Sequence, residues 1–354
     1  MMIPAAQALG VDIRVLAETS DSSAVLAASD VGDYRDWGTL WQFAGEVDVV
    51  TFDHEHVPTE FLHRLVAENV PVHPGPDALV FAQDKASMRA RLSELSVPLP
   101  AWSVCVSEGE VDAFLTQQAG TAVAKTPRGG YDGKGVRVIT QASDVSDWLA
   151  LGPVLMEAKV EFVREVSQLV ARRPSGETVP YPLVETIQAG GVCSEVIAPA
   201  PHTKPKQVAE AARIGVTIAE SLGVTGILAV EMFETADGGF LVNELAMRPH
   251  NSGHVFTEGA ITSQFAQHLR AVMDWPLGSP ELRHPWSVMV NLFGDASNER
   301  IQQILALSPR ISVHAYGKTA RPGRKAGHLV VSGDDLDELL SLARAAGAIG
   351  GIET

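Results

Sequence analysis

Cysteine is nearly missing from this 354-residue chain: only Cys105 and Cys193 occur. Two such thiols make no disulfide framework and no metal-binding spacing, so both read as structural thiols of a reducing compartment. No apolar run is long enough to cross a membrane. Met1 to Leu9 is apolar but lacks a basic leader and a cleavage pattern, which argues against a signal peptide. Positive charge is in deficit, 27 Lys and Arg against 43 Asp and Glu, for a net charge of −16. That balance excludes a broad nucleic-acid or anionic-membrane surface, and the expectation is a cytoplasmic protein acting on small molecules. Acidic residues are absent in turn from Arg300 to Gly333, where Lys318, Arg321, Arg324 and Lys325 crowd a Gly/Pro-rich loop. An anion site or a solvated basic loop would each explain that asymmetry.

Two hairpins carry most of the information. In the first, Thr121–Lys125 and Val136–Thr140 are β-type runs around a loop with Arg128, Gly129, Gly130, Tyr131, Asp132, Gly133, Lys134 and Gly135. Glycines let backbone N–H groups approach phosphate oxygens with no Cβ in the way, and Lys125 and Lys134 supply charge. It is no Walker A loop, because Gly135 follows Lys134 where Ser or Thr is required, and no helix follows for a dinucleotide fingerprint. An exposed flexible hairpin is the plain alternative.

In the second, Ile227–Phe233 and Phe240–Leu245 flank Asp237-Gly238, which predicts a two-residue type I′ turn. That register sets Phe233 opposite Val242 and Glu231 opposite Glu244, with Cβ atoms roughly 4.5–5.5 Å apart. Carboxylates so close favour a cation between them, and magnesium, a hard ion bound by one or two carboxylates plus phosphates, fits. Asn243 points away by simple alternation unless a bulge turns it round. Between the hairpins, an apolar strand ends at Glu157 and Glu165 opens another. Their carboxylates, with backbone near Lys159 and Val160, offer contacts to a ribose and an adenine edge, or simply exposed loop charge.

In organisation the chain is α/β and α+β. Residues 1–83 alternate helix and short strand: helix Ile3–Leu9, strands Val11–Ala17, Val47–Phe52 and Val70–His73, and helix Glu60–Glu68. Pro74-Gly-Pro76 then breaks the chain, and a helix spans 84–96. The central part, 84–276, holds both hairpins and helices Pro205–Leu222 and Ser263–Met273. A small β-rich part, 277–354, has strands near Ser287–Leu292 and His328–Val331 and helix Leu336–Ala345. A parallel α/β domain should open on a strand and a tight turn, whereas this chain starts in the helix. The expectation is that the first strand of the N-terminal domain is missing.

The order of strand lysine, glycine-rich lid, Glu-rich linker and two carboxylates resembles the ATP-grasp superfamily. Glu244-Leu-Ala-Met-Arg-Pro-His-Asn-Ser-Gly-His254, Thr51-Phe-Asp-His-Glu-His-Val57, Gln83-Asp-Lys85, His314-Ala-Tyr-Gly-Lys318 and Arg324-Lys-Ala-Gly-His328 resemble the 5-(carboxyamino)imidazole ribonucleotide synthetase family within it. That resemblance runs over essentially the whole chain. It implies a three-domain ATP-grasp architecture with a Rossmann-like N-terminal domain, ATP and Mg2+ as cofactors, a homodimer, and ATP-dependent carboxylation of aminoimidazole ribonucleotide through carboxyphosphate. Family members carry a strand and a Gly-Gly-Gln-Leu type loop upstream of the first helix, which this sequence lacks.

By the same resemblance, Lys85, Lys125 and the lid from Gly130 through Tyr131, Asp132, Gly133, Lys134 and Gly135 to Val136 hold the phosphates. Glu157, Ala158, Lys159 and Val160 frame adenine, and Glu165 takes the ribose. Gln188 stands where relatives often have His, Asn243 joins the nucleotide site, and Glu231 and Glu244 carry magnesium. Arg248 and His250 serve bicarbonate and carboxyphosphate, with Asn251, Ser252 and His254 shaping their pocket. Glu55 and Tyr131 contact the aminoimidazole, and Lys318, Arg324 and Lys325 take its 5′-phosphate. Another ATP-grasp ligase, such as a formate-dependent glycinamide ribonucleotide formyltransferase, is the rival reading.

Overall fold

Alternating apolar residues make strands of Gly226–Thr235 and Phe240–Ala246, and Gly238, at φ +82°, closes the turn between them. In the computed structural model, which describes residues 1–130 and 135–351, this hairpin departs from the expected register in one instructive way. The loop has three residues, not two: Gly238 N–H donates to Thr235 O at 2.8 Å, and Thr235 N–H to Gly239 O at 3.0 Å. Phe233 therefore pairs with Leu241 rather than Val242. A bulge at Asn243 then restores the count, so Glu231 still faces Glu244. A type I turn followed by a left-handed glycine is the usual three-residue solution, and the bulge inserts one extra residue in one strand.

This hairpin lies at the edge of a nine-stranded antiparallel sheet. Next to it runs the long Phe162–Arg172 strand, which also pairs with the short Thr178–Pro180. Then follow Val184–Ala189, Val192–Ala198, Trp286–Phe293, Lys325–Gly333 and Ser312–Ala315. The sheet thus crosses from the central part into the C-terminal part without a break, through pairing of Val192–Ala198 with Trp286–Phe293. Glu165 sits inside the Phe162–Arg172 strand and does not open it. The glycine-rich hairpin, Ala122–Lys125 with Val136–Ile139, belongs to a separate four-stranded antiparallel sheet, completed by Val154–Ala158 and Trp102–Cys105.

Helix Ile3–Leu9 forms as expected and ends on Gly10 at φ +67°. The N-terminal strands are shorter than their apolar runs. Val15–Ala17 pairs in parallel with Ala28–Val31, a strand the sequence reading did not anticipate. Val47–Phe52 and Val70–His73 meet only in a single parallel bridge, Val50 with Val72. Pro71 lacks the N–H a longer ladder needs. Helices Trp37–Ala44, Pro76–Gln83 and Asn298–Leu305 were also not anticipated. Pro76, read as part of a break, is the first residue of its helix, where the missing N–H costs nothing. The span expected to be one helix over 84–96 is Lys85–Glu94, capped by Asp84 accepting from Ser87 N–H at 2.9 Å.

Residues of the N-terminal part share one apolar core with the central sheet: Leu40, Leu62 and Leu79 belong to the same buried cluster as Val170, Ile218 and Val230. His268, fully buried on helix Gln264–Val272, ties the two together. Its Nδ1 accepts from Ile227 N–H at 3.1 Å, so the proton sits on Nε2, 2.7 Å from Thr51 Oγ1. Burial, with the nearby charge of His73, pushes His268 down to about 3. The unfolded chain binds a proton there near pH 6.5 and the folded one does not, so the stability tied to this group is present above pH 6.5 and is lost as pH falls toward 3. The expected slope is about 1.4 kcal/mol per pH unit. Melting temperatures at pH 7 and pH 5 should differ more for the wild type than for His268→Gln; equal differences would refute this role.

Candidate functional site

The two sheets face each other across a cleft of about 1220 Å³, and the N-terminal part closes one end with His54, Glu55 and His56. Set into one wall is a buried charge cluster. Lys125 reaches Glu157 Oε2 at 2.8 Å and Asn243 Oδ1 at 2.9 Å. The other carboxylate oxygen of Glu157 accepts from Arg89 Nε at 2.7 Å, and Arg89 Nη2 donates to the Asn243 carbonyl at 2.7 Å. Arg89 is 0% and Glu157 2% exposed. Burial pushes the Glu157 carboxyl up, but Lys125 and Arg89 outweigh it and hold the group below the usual carboxylate range. Glu157, expected beside adenine, thus has both oxygens engaged by cations, while Ala158, Lys159 and Val160 continue along the cleft wall.

Arg89 escaped the sequence reading. The available signal was its place four residues after Lys85, on the helix face that also buries Met88 and Leu92. Lys85 lies 3.3 Å from Glu244 Oε1 and donates to Gly129 O at 3.2 Å. The base of the glycine-rich loop is tied down by Lys85 N–H to Pro127 O and by Arg128 Nε to Asp84 at 2.9 Å. Gly130 and Val136 line the cleft. Gly135 must be glycine: its φ is +72°, and a Cβ would sit 2.5 Å from Thr126 Oγ1. Tyr131, Asp132, Gly133 and Lys134 lie outside the described residues.

Further along, Glu165 accepts from Gln188 Nε2 at 3.2 Å. Burial and the charge of Glu231 raise its pKa, opposed by that hydrogen bond. Phe162 and Phe233 stack with centroids 4.8 Å apart, an apolar platform in the wall that the sequence reading did not pick out.

Glu231 turns to His250, whose Nε2 is 3.1 Å from its Oε1. Burial raises the Glu231 pKa, but the His250 bond and the charges of His250, Lys325 and Arg248 bring it below the ordinary value. A carboxylate only accepts, so His250 Nε2 carries the proton in this arrangement. His250 Nδ1 meets Ser252 Oγ at 2.9 Å, and Ser252 Oγ meets Ser167 Oγ at 2.8 Å. Ser252, expected at the substrate, is 1% exposed and orients His250 from behind. Gln264, also missed, accepts from His250 N–H and donates to His250 O, each at 2.8 Å, and contacts His254 Nδ1 at 2.9 Å. Gly253 allows this: a Cβ there would stand 2.3 Å from Gln264 Oε1. Asn251 pairs with Asn291 while lining the cleft.

Arg248 Nε donates to Glu55 at 2.9 Å, so these two expected substrate groups hold each other in the resting site. Lys318 and Lys325 line the cleft. Arg324 is not among the lining residues; its Nη1 donates to Thr319 O at 3.2 Å, because its side chain folds back on its own loop. Glu231 and Glu244, paired in register and both partly exposed, offer hard carboxylate oxygens of the kind that could hold magnesium.

The chain matches the ATP-grasp domain over residues 90–265, the ribonucleotide synthetase preATP-grasp domain over 1–83, and the phosphoribosylaminoimidazole carboxylase C-terminal domain over 287–342. It is 46% identical to the N5-carboxyaminoimidazole ribonucleotide synthase of Mycobacterium tuberculosis, over 97% of this chain and 83% of that one. Identity is 44% to that of Corynebacterium ammoniagenes, over 98% and 88%. The crystal structure of the synthetase from Thermus thermophilus superposes with a TM-score of 0.92 at 33% identity, covering 100% of this chain and 96% of that one. The synthase from Aspergillus clavatus, solved with ADP and 5-aminoimidazole ribonucleotide, superposes with a TM-score of 0.88 at 27% identity, covering 99% and 95%. With lysines, paired carboxylates and the Arg-Pro-His-Asn-Ser-Gly-His run gathered in one cleft, and with likeness to these enzymes over 97% of its own length, the chain belongs to the N5-carboxyaminoimidazole ribonucleotide synthase family of ATP-grasp enzymes.

Proposed function

We propose that this protein carboxylates 5-aminoimidazole ribonucleotide with bicarbonate at the expense of ATP, giving N5-carboxyaminoimidazole ribonucleotide, ADP and phosphate. The observation that carries the reading is the position of Glu231. One side faces Glu244 on the phosphate end of the cleft, and the other is 3.1 Å from His250 in the signature run. A phosphoryl site and a proton-handling group therefore share one carboxylate.

A bicarbonate oxygen attacks the γ-phosphorus; the new P–O bond forms as the bond to ADP breaks, leaving carboxyphosphate. The exocyclic amine then attacks its carbonyl carbon, and phosphate departs. Lys125 and Lys85 neutralise the phosphates, since phosphoryl transfer depends on positioning and charge more than on covalent catalysis. Glu231 and Glu244 would hold Mg2+, which would supply positive charge to offset that of the phosphates. Arg248 presents a planar fork to the carboxylate-like substrate. His250 and its partner Glu231 handle the proton released by the amine, with His250 held in place through Nδ1. Lys318 and Lys325 take the 5′-phosphate.

Phosphate release from ATP should require both bicarbonate and 5-aminoimidazole ribonucleotide. Release with formate and glycinamide ribonucleotide instead would identify the rival ligase. Glu231→Gln and Glu244→Gln should each lower kcat by about 100-fold or more, the scale of a lost transition-state charge contact, with melting temperature nearly unchanged. Full activity in either variant would remove it from the metal site. His250→Ala and Arg248→Lys should lose turnover, while affinity for a non-hydrolysable ATP analogue changes less than about threefold, under roughly 1 kcal/mol. A large loss of analogue affinity would move these residues into the nucleotide site.

A further inference from the structure

Lys125 lies on the cleft wall, where it could meet a phosphate, yet it makes a 2.8 Å ion pair with a buried carboxylate. Such a pair is a neutral dipole, and a neutral dipole attracts an anion poorly. The third member of the cluster resolves the contradiction. Arg89 lies wholly out of solvent, places Nε 2.7 Å from the other oxygen of Glu157, and leaves Nη1 buried with no hydrogen-bond partner among the described residues. Two cations and one anion leave one net positive charge. Only the Lys125 end of the cluster borders the cleft, because Glu157 and Lys125 line it and Arg89 does not.

We infer that Arg89 is a positioning residue that cancels the Glu157 charge from behind, so that Glu157 can hold the Lys125 ammonium in place without neutralising it toward the nucleotide phosphates. This rests on the nucleotide reading of the cleft given above. Geometry and charge are divided between the partners. Glu157 and Asn243 Oδ1 accept two of the three ammonium N–H groups of Lys125, at 2.8 and 2.9 Å, and fix the direction of the third. Arg89 supplies the compensating charge and, through Nη2 to the Asn243 carbonyl at 2.7 Å, anchors the strand bulge that carries the amide. A guanidinium suits that post because it serves two acceptors in one plane and stays charged when buried. Without Arg89, the Glu157 carboxylate would be met by Lys125 alone.

The test compares ADP binding by calorimetry and steady-state KM for ATP across the intact wild-type protein, Arg89→Met, Arg89→Lys, Glu157→Gln and the double variant Arg89→Met with Glu157→Gln, with melting temperatures throughout. Arg89→Met leaves a net charge of zero and should weaken ADP binding at least tenfold, raising KM for ATP by a similar factor while kcat falls less than threefold. Arg89→Lys, which keeps the charge, should stay within about fivefold of wild type. The double variant restores one net positive charge without arginine and should recover binding to within about fivefold of wild type. That recovery is not expected of a residue that only supports packing. If Arg89→Met fails to fold, the double variant and Arg89→Lys decide. ADP affinity unchanged in a folded Arg89→Met, or a folded double variant more than about 50-fold weaker than wild type, overturns the inference. Failure of the wild type itself to bind ADP would instead overturn the nucleotide reading on which it rests.

Discussion

The bulge at Asn243 is the constraint on which the cleft depends. In an unbroken strand, successive side chains point to opposite faces, so Asn243 and Glu244 could not both serve one site. The extra residue lets Asn243 Oδ1 receive Lys125 while Glu244 faces Glu231 and pairs with Lys85. The carbonyl at the same position takes Arg89. One irregularity in one edge hairpin thereby joins two sheets and a helix through charged contacts. A three-residue turn at the hairpin tip and the bulge are complementary: each shifts the register by one, and together they return Glu231 to Glu244.

An acidic protein that handles polyanions has to concentrate its cations and keep them from being cancelled by its own carboxylates. Here cations on the cleft wall have a carboxylate within reach, Lys125 with Glu157, Lys85 with Glu244 and Arg248 with Glu55, and His250 meets Glu231 in the same way. Those pairs fix long side chains before any ligand arrives, which lowers the entropy cost of ordering them on binding. They are also exchangeable, since an incoming phosphate, metal ion or carboxylate can take the place of one partner. The signature run is held more stiffly. Ser252, itself held by Ser167, and Gln264 secure His250, and Gly253 leaves room for the glutamine.

Much of this was readable from residue order. Alternation and the Asp237-Gly238 turn gave the hairpin, and the facing pair Glu231 and Glu244 survived even though the turn type and the Phe233 partner did not. The lysine strand and the helices Pro205–Ser221 and Gln264–Val272 fell close to where periodicity put them. These are local signals: period, cap, turn residue. Where a local signal was weak, the reading lost detail. Short helices such as Trp37–Ala44 carry too few turns to stand out, and the N-terminal strands paired over fewer residues than their apolar runs suggested.

Sequence by itself determined the chemical inventory and its order along the chain, because strand period and turn residues act over a few neighbours. Tertiary structure alone decided which charges meet. Arg89 and Glu157 are 68 positions apart, and Lys125 and Asn243 are 118 apart, so no local pattern encodes their contact. The same holds for Ser252, which looks like a substrate ligand in the motif but is turned inward onto Ser167, and for Arg324, which looks like a phosphate ligand but folds back on Thr319. A motif fixes residue types and spacing. The direction a side chain faces depends on what the rest of the chain packs against it, and on the cost of leaving a buried charge without a partner.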